Sequence, residues 1–344
     1  MLDVRGCAMA QIPGDLFDGL EELQAVYADN YKLCCPAILP PGFNRVHCRA
    51  PFNEISSCDA LLRSNAYRVV LAVVAAVALL GNLATFVYRT IVNQKGTKSG
   101  FAVFVTNLSF SDFLMGIYLA IIGIADRAYL NTYLWEDTAW RHSTACQAAG
   151  FLSFLSSEVS AFLVCLITLD RFVVLRFPFT SLRFGKRSSV VACALLWVVG
   201  AIIAAFPFVG SSATERPWHF YSQTGICIPL PVTRDDFQGH DYAFGVMIVL
   251  NFVLFVLIAS GQAFIFLSIR ANSVAAADTT RQSQDMRIAR GLITIAVSDF
   301  LCWFPSACWG CWRSRECPSP VRSTWPWPSS CCRSTRRSIL FCTI

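Results

Sequence analysis

Three carboxylates stand inside apolar stretches of this sequence: Asp112, Glu158 and Asp299. A carboxylate in such surroundings must be protonated or paired. Asn82 and Asn251 are polar but uncharged in similar settings. Each alone reads as a side chain bonded to a neighbouring helix, worth about 0.6 kcal/mol on average. Cys146 and Asp170-Arg171-Phe172 mark the two ends of one apolar stretch. As a helix, the 25 steps from Cys146 to Arg171 rise about 37 Å, slightly more than the hydrocarbon thickness of a bilayer. One helix would then carry a disulfide candidate at one face and an acid–base pair at the other. Cys227 is the single cysteine between residues 210 and 241, which makes it the natural partner of Cys146 in an oxidising compartment. Asp285, in Asp285-Met-Arg-Ile-Ala-Arg290, falls at the level of Arg171 and can pair with it. As a solvated pair that contact is worth roughly 0–1 kcal/mol. Cys34, Cys35, Cys48 and Cys58 cluster near the amino terminus. Four cysteines allow three pairings, and the sequence does not choose among them. Disulfides are the expected state outside the cell. A zinc site is the alternative, though adjacent Cys34-Cys35 suits spaced ligand pairs poorly. No metal and no cofactor is expected.

The elements that position these groups follow from the apolar runs. Residues 69–88 form 20 positions without a charge, and residues 242–269 form 28. A bilayer needs roughly 20 apolar residues at helical rise, so both can span it. Spans are expected near 66–88, 101–124, 145–169, 189–209, 242–268 and 291–309. With the cysteine-rich segment outside, the inner loops hold Arg89, Lys95, Lys98, Arg176, Arg183, Lys186 and Arg187, then Arg270 to Arg290. The outer loops are rich in carboxylates, Asp126, Glu136 and Asp137 among them. That bias places the amino terminus outside. Before the first span, Ile12-Pro-Gly-Asp-Leu-Phe-Asp-Gly-Leu-Glu-Glu-Leu has the spacing of a leucine-rich repeat. One such repeat cannot bury its own apolar face, so it reads as the last turn of a longer horseshoe.

Composition narrows the function classes. At 55% hydrophobic and 15% charged, the chain is too apolar for a soluble domain, which carries about 25% charged residues. The net charge of +6 belongs to short loops between apolar runs, which speaks for the lipid bilayer as partner and against nucleic acid. An enzyme is not expected: the chain has four histidines, no paired catalytic motif and no glycine-rich phosphate loop. A transporter could use Asp112, Glu158 and Asp299 as an ion relay, but no inverted repeat accompanies them.

Six motifs in order now match a pattern. They are Gly81-Asn82, Asn107-Leu-Ser-Phe-Ser-Asp112, Cys146, Asp170-Arg171-Phe172, Trp197 and Cys302-Trp303-Phe304-Pro305. Across some 240 residues the chain resembles a rhodopsin-class G-protein-coupled receptor. Tyr31-Lys-Leu-Cys34-Cys35, Ser56-Ser-Cys58, Leu114-Met-Gly-Ile-Tyr118, Thr224-Gly-Ile-Cys227 and Ser298-Asp299 add a likeness to the leucine-rich-repeat subgroup, relatives of glycoprotein-hormone and relaxin receptors, nearest the relaxin type. The resemblance implies an all-α membrane protein: a seven-transmembrane bundle at the plasma membrane behind a short extracellular repeat remnant and cysteine-rich hinge. It implies an extracellular peptide or protein hormone and a heterotrimeric G protein as partners. Asp170, Arg171 and Asp285 would form the inner lock, and Asn82, Asp112 and Asp299 the polar core. Trp303 and Pro305 would form the bend of the sixth helix, since an interior proline removes a backbone bond. Phe172 replaces the tyrosine of the family's inner motif, and Gln262 falls where relaxin-type receptors carry a tyrosine.

The tail departs from the family. Residues 306–344 hold six of the 16 cysteines, four of the nine tryptophans and six arginines, so no seventh span fits through Arg313, Arg315, Glu316, Arg322, Pro326 and Pro328. The seventh helix is expected to be lost or mis-translated, with Ile339-Leu-Phe-Cys-Thr resembling the stretch after the family's Asn-Pro. The expected division is 1–64 repeat remnant and hinge, 65–305 receptor bundle, and 306–344 aberrant tail. Such a chain could also be a non-signalling ligand-capture or dimerisation partner.

Overall fold

The computed structural model describes residues 1–5, 12–20, 22–51, 53, 55–92, 100–177, 184–213, 220–222, 224–228 and 239–272. Asp285, Asp299, Trp303, Pro305, the expected sixth span and the tail lie outside the described residues.

The chain opens with three short parallel strands, β1 (Leu2–Asp3), β2 (Val26–Tyr27) and β3 (Cys48–Arg49), in the order β1-β2-β3. Leu2 pairs with Val26, and Val26 with Cys48. Successive rungs are therefore 24 and 22 residues apart, inside the leucine-rich-repeat range of about 20–29. Leucine spacing marks only one repeat in the sequence; the cysteine segment supplies a further rung, which its cysteines and prolines disguise. Phe17, Val26, Cys35 and Ile38 form the core of this stack, flanked by Leu16, Leu23, Leu39 and Phe43.

Among the described residues, five helices are long and apolar enough to cross a membrane: Asn65–Val92, Gly100–Ala128, Thr144–Val174, Lys186–Gly210 and His240–Ser268. They fall where the first five spans are expected from the apolar runs. We label the helical elements α1 (Asn65–Val87), α2 (Gly100–Ala128), α3 (Tyr133–His142), α4 (Thr144–Arg176), α5 (Lys186–Ala213), α6 (His240–Phe244) and α7 (Asn251–Asn272). α3 is a short outer helix between two spans. α4 outruns its apolar stretch because helical bonding continues through the charged Asp170-Arg171 turn to Arg176.

Capping starts two of the spans. The Ser64 hydroxyl accepts from the Tyr67 amide at 3.3 Å, and Ser143 accepts from the Cys146 amide at 3.1 Å. Each satisfies an orphan donor of a first turn. α4 is the hub and packs on α2, α5 and α7. α1 leans on α2 and leaves Val69, Val73, Val77 and Leu80 each more than half exposed. In water that stripe would be an aggregation patch; in lipid it is the natural outer face.

Two helix irregularities are repaired by side chains. Pro207 lies inside α5 and cannot donate to the carbonyl four residues back, that of Ile203. The Tyr242 hydroxyl donates there instead at 2.6 Å, and Tyr221 donates to the neighbouring Ala204 carbonyl at 2.8 Å. The fifth span has no proline but widens into π-type turns at Gly245–Leu250. Asn251 Nδ2 donates to the Val246 carbonyl at 3.2 Å, so the bulge is held without one.

Candidate functional site

The polar groups gather at three levels along α4. At the outer end Cys146 and Cys227 are joined, with Cα atoms 5.4 Å apart, and both are fully buried. Cys227 has a left-handed backbone, φ 59°. Its turn is gripped from two sides. Trp140 Nε1 of α3 donates to the Gly225 carbonyl at 2.7 Å, and the Tyr118 hydroxyl of α2 donates to the Ile226 carbonyl at 2.8 Å. Gly150 of α4 lies against the Cys227 carbonyl and the Tyr221 ring so closely that a Cβ would collide.

The hinge cysteines pair as Cys34–Cys48 and Cys35–Cys58, each with Cα atoms 5.7 Å apart. This selects one of the three open pairings. Sulfurs bonded to each other cannot serve as thiolate ligands, so the zinc alternative falls.

Two outer carboxylates, read from sequence only as loop charges, are buried. Asp126 at the end of α2 accepts from the Leu62 amide at 2.7 Å and from Arg68 Nε at 2.6 Å. Asp137 of α3 accepts from the Lys32 ammonium, from the Tyr133 hydroxyl at 2.5 Å and from Arg141 Nε at 2.8 Å. The Lys32 and Asp137 side chains are 8% and 3% exposed, a true interior pair. Burial pushes the Lys32 ammonium below the usual lysine range, against the pull of Asp137. Burial, then the charge of Asp137, raises the Tyr133 phenol well above its ordinary value, which keeps it a donor.

Midway down, Asp112 accepts from Ser160 Oγ at 2.8 Å. Ser111 and Ser156 exchange hydroxyl-to-carbonyl bonds at 3.0 and 2.8 Å, locking α2 to α4. Trp197 Nε1 reaches Asn107 Oδ1 at 3.0 Å. Asn82 donates to the Ala78 carbonyl of its own helix at 3.0 Å. Glu158 Oε1 accepts from Asn251 Nδ2 at 3.0 Å, while Oε2 has no partner among the described residues. These serines do not stand out in the sequence. They are common residues in any span, and only the helix rotation selects them.

At the inner end Arg171 pairs with its neighbour Asp170 at 3.5 Å, and its guanidinium carbon stands 4.1 Å from the Phe101 ring centre. That cation–aromatic contact binds α4 to α2. Gln262 Nε2 of α7 donates to Thr168 Oγ1 at 2.8 Å, and the Phe172 and Phe264 rings are 4.8 Å apart. Asp285, the other half of the expected inner lock, lies outside the described residues.

Residues 81–343 match the family described as 7 transmembrane receptor (rhodopsin family), and the match runs on into the tail. "G-protein coupled receptor GRL101" of Lymnaea stagnalis is 37% identical over 84% of this chain and 25% of that protein. Relaxin receptor 2 of Homo sapiens is 30% identical over 82% of this chain and 36% of its own length. The follicle-stimulating hormone receptor of Rattus norvegicus is 27% identical over 80% and 37%. The chain thus spans well under half the length of these relatives. Family, apolar helices and outer disulfides agree: this chain belongs to the rhodopsin family of seven-transmembrane receptors, in its leucine-rich-repeat-containing subgroup, a multi-pass plasma-membrane protein and not an enzyme.

Proposed function

We propose that the chain is the membrane half of a receptor that transmits binding of an extracellular peptide or protein hormone to a heterotrimeric G protein. The observation that carries this reading is α4 itself. One unbroken helix holds the Cys146–Cys227 disulfide at its outer end and Asp170-Arg171 at its inner end. Coupling between two sites requires an element that has two arrangements and that both sites can bias, and a helix reaching both faces is open to bias from each. The names of two relatives, a relaxin receptor and a follicle-stimulating hormone receptor, support a hormone as ligand. In this reading Asp170, Arg171 and Asp285 form the inner lock, Asn82, Asp112 and Asp299 the polar core, and Trp303 and Pro305 the bend of the sixth helix. Residues 1–64 are the extracellular remnant and hinge, 65–305 the bundle, and 306–344 a tail in place of the seventh helix.

The test is nucleotide exchange on co-expressed G proteins in membranes holding this chain with a family-type seventh helix restored. Asp285→Asn should raise basal exchange, and Arg171→Ala should abolish it. Exchange at the level of receptor-free membranes for every variant and every G-protein class would overturn the reading. The second reading, a non-signalling ligand-capture or dimerisation partner, is favoured by the arginine-rich tail. It expects no exchange from the chain as it stands.

A further inference from the structure

The amino-terminal segment meets the bundle at two charged sites. One lies where the segment runs into α1: Asp126 of α2 accepts from the Leu62 amide and from Arg68 of α1, whose Nη2 in turn donates to the Leu62 carbonyl at 2.8 Å. The other bridges 105 positions of sequence, from Lys32 to Asp137. Lys32 cannot swing freely. It sits in the 3-10 turn Tyr31–Cys34, its amide bonded to Asn30 Oδ1 at 3.1 Å, with the Cys34–Cys48 and Cys35–Cys58 bridges immediately beyond. Its partner helix is shared by both units. Leu134 of α3 completes the core around Phe17 and Ile38, while Trp140 of the same helix holds the Gly225 carbonyl. The Tyr133 hydroxyl, bonded to Asp137, lies against Gly225, where a Cβ would overlap it. Two residues on, Cys227 is bonded to Cys146 at the head of α4.

We propose that Lys32 is the positioning residue of a second, non-covalent joint, through which movement of the hinge reaches α4 by way of α3 and the Cys227 turn. The route is a chain of contacts between rigid parts. What singles it out is the buried charge. The Lys32 ammonium, removed from water, tolerates little change in geometry, because Asp137 is the carboxylate that compensates it. α3 and the hinge are thereby held in one arrangement, whereas the Asp126–Arg68 clamp acts only on the start of α1.

The experiment is amide hydrogen exchange on the full chain in lipid nanodiscs under non-reducing conditions, with neither hormone nor G protein added. Its outcome is therefore independent of the proposed signalling function. Lys32→Met should raise exchange about fivefold or more in peptides covering 134–142 and 224–228, with 62–68 unchanged. Arg68→Met should do the reverse. Should Lys32→Met fail to fold, Lys32→Gln, which keeps a donor to Asp137 but drops the charge, is read on the same peptides. A rise confined to 30–35, a uniform rise across all helices, or an equal response of 134–142 to Arg68→Met would each overturn the proposal.

Discussion

Asp137 accepts from three donors, and removing different members of that set should not cost the same. Lys32→Met leaves the carboxylate with Tyr133 and Arg141, so the fold should lose about 1 kcal/mol, one hydrogen bond's net contribution. Asp137→Leu leaves the buried Lys32 ammonium without its carboxylate, and a broken buried pair costs about 3–5 kcal/mol. The double variant Lys32→Met/Asp137→Leu should recover part of that loss. Thermal unfolding in detergent measures all three. Equal losses for the two single variants would show that Arg141 and Tyr133 do not compensate Asp137.

At the level of elements, the bundle depends on side chains that complete broken backbone ladders. In lipid an unsatisfied backbone group has no water to turn to. Tyr242 and Tyr221 serve α5 around Pro207, and Asn251 serves the widened turns of the fifth span. Asn251 also donates to Glu158, tying α7 to α4. Asn251→Leu should therefore lower stability by about 1–3 kcal/mol, since both the Val246 carbonyl and the Glu158 carboxyl lose a donor. Glu158→Gln keeps an acceptor for Asn251 and should cost less than about 1 kcal/mol. A melting series in one detergent decides the order, and a larger loss for Glu158→Gln would place the weight of the contact on Glu158.

For the whole molecule the open matter is the tail. A seventh span through residues 306–338 would bury Arg313, Arg315 and Arg322, at about 2.5–3.5 kcal/mol each near a helix centre. Its few tryptophans and cysteines cannot offset that, so the segment should stay out of the bilayer. The family's motifs can be read through Pro305 and the Asn-Pro beyond it is missing, while the spacing to Ile339 is kept and the family match extends to residue 343. A change of reading frame behaves in this way; gradual divergence would decay. Genomic DNA read in the other two frames across these codons should yield an apolar stretch of about 20 residues containing Asn-Pro. If neither frame does, or if independent transcripts repeat this tail, the change of frame is overturned and a six-span protein is the reading to test next.

How much of this is legible in the sequence depends on the range of each interaction. The five described spans can be read from it because bilayer thickness converts directly into run length. Cys146 and Cys227 can be matched because each is the lone cysteine at its outer position. The pairing of Cys34 with Cys48 and of Cys35 with Cys58 cannot, since three pairings satisfy the same composition. A helix that is apolar all round gives no sign of which way it is turned. Only the packed bundle could therefore pair Asp112 with Ser160, Glu158 with Asn251, and Gln262 with Thr168. Asp126 and Asp137 look like solvated loop charges because their partners are distant in sequence, Arg68 by 58 positions and Lys32 by 105. Chain order specifies the membrane layout through local hydropathy, but it is the tertiary fold that decides which buried charge meets which, because that depends on helix rotation and loop docking.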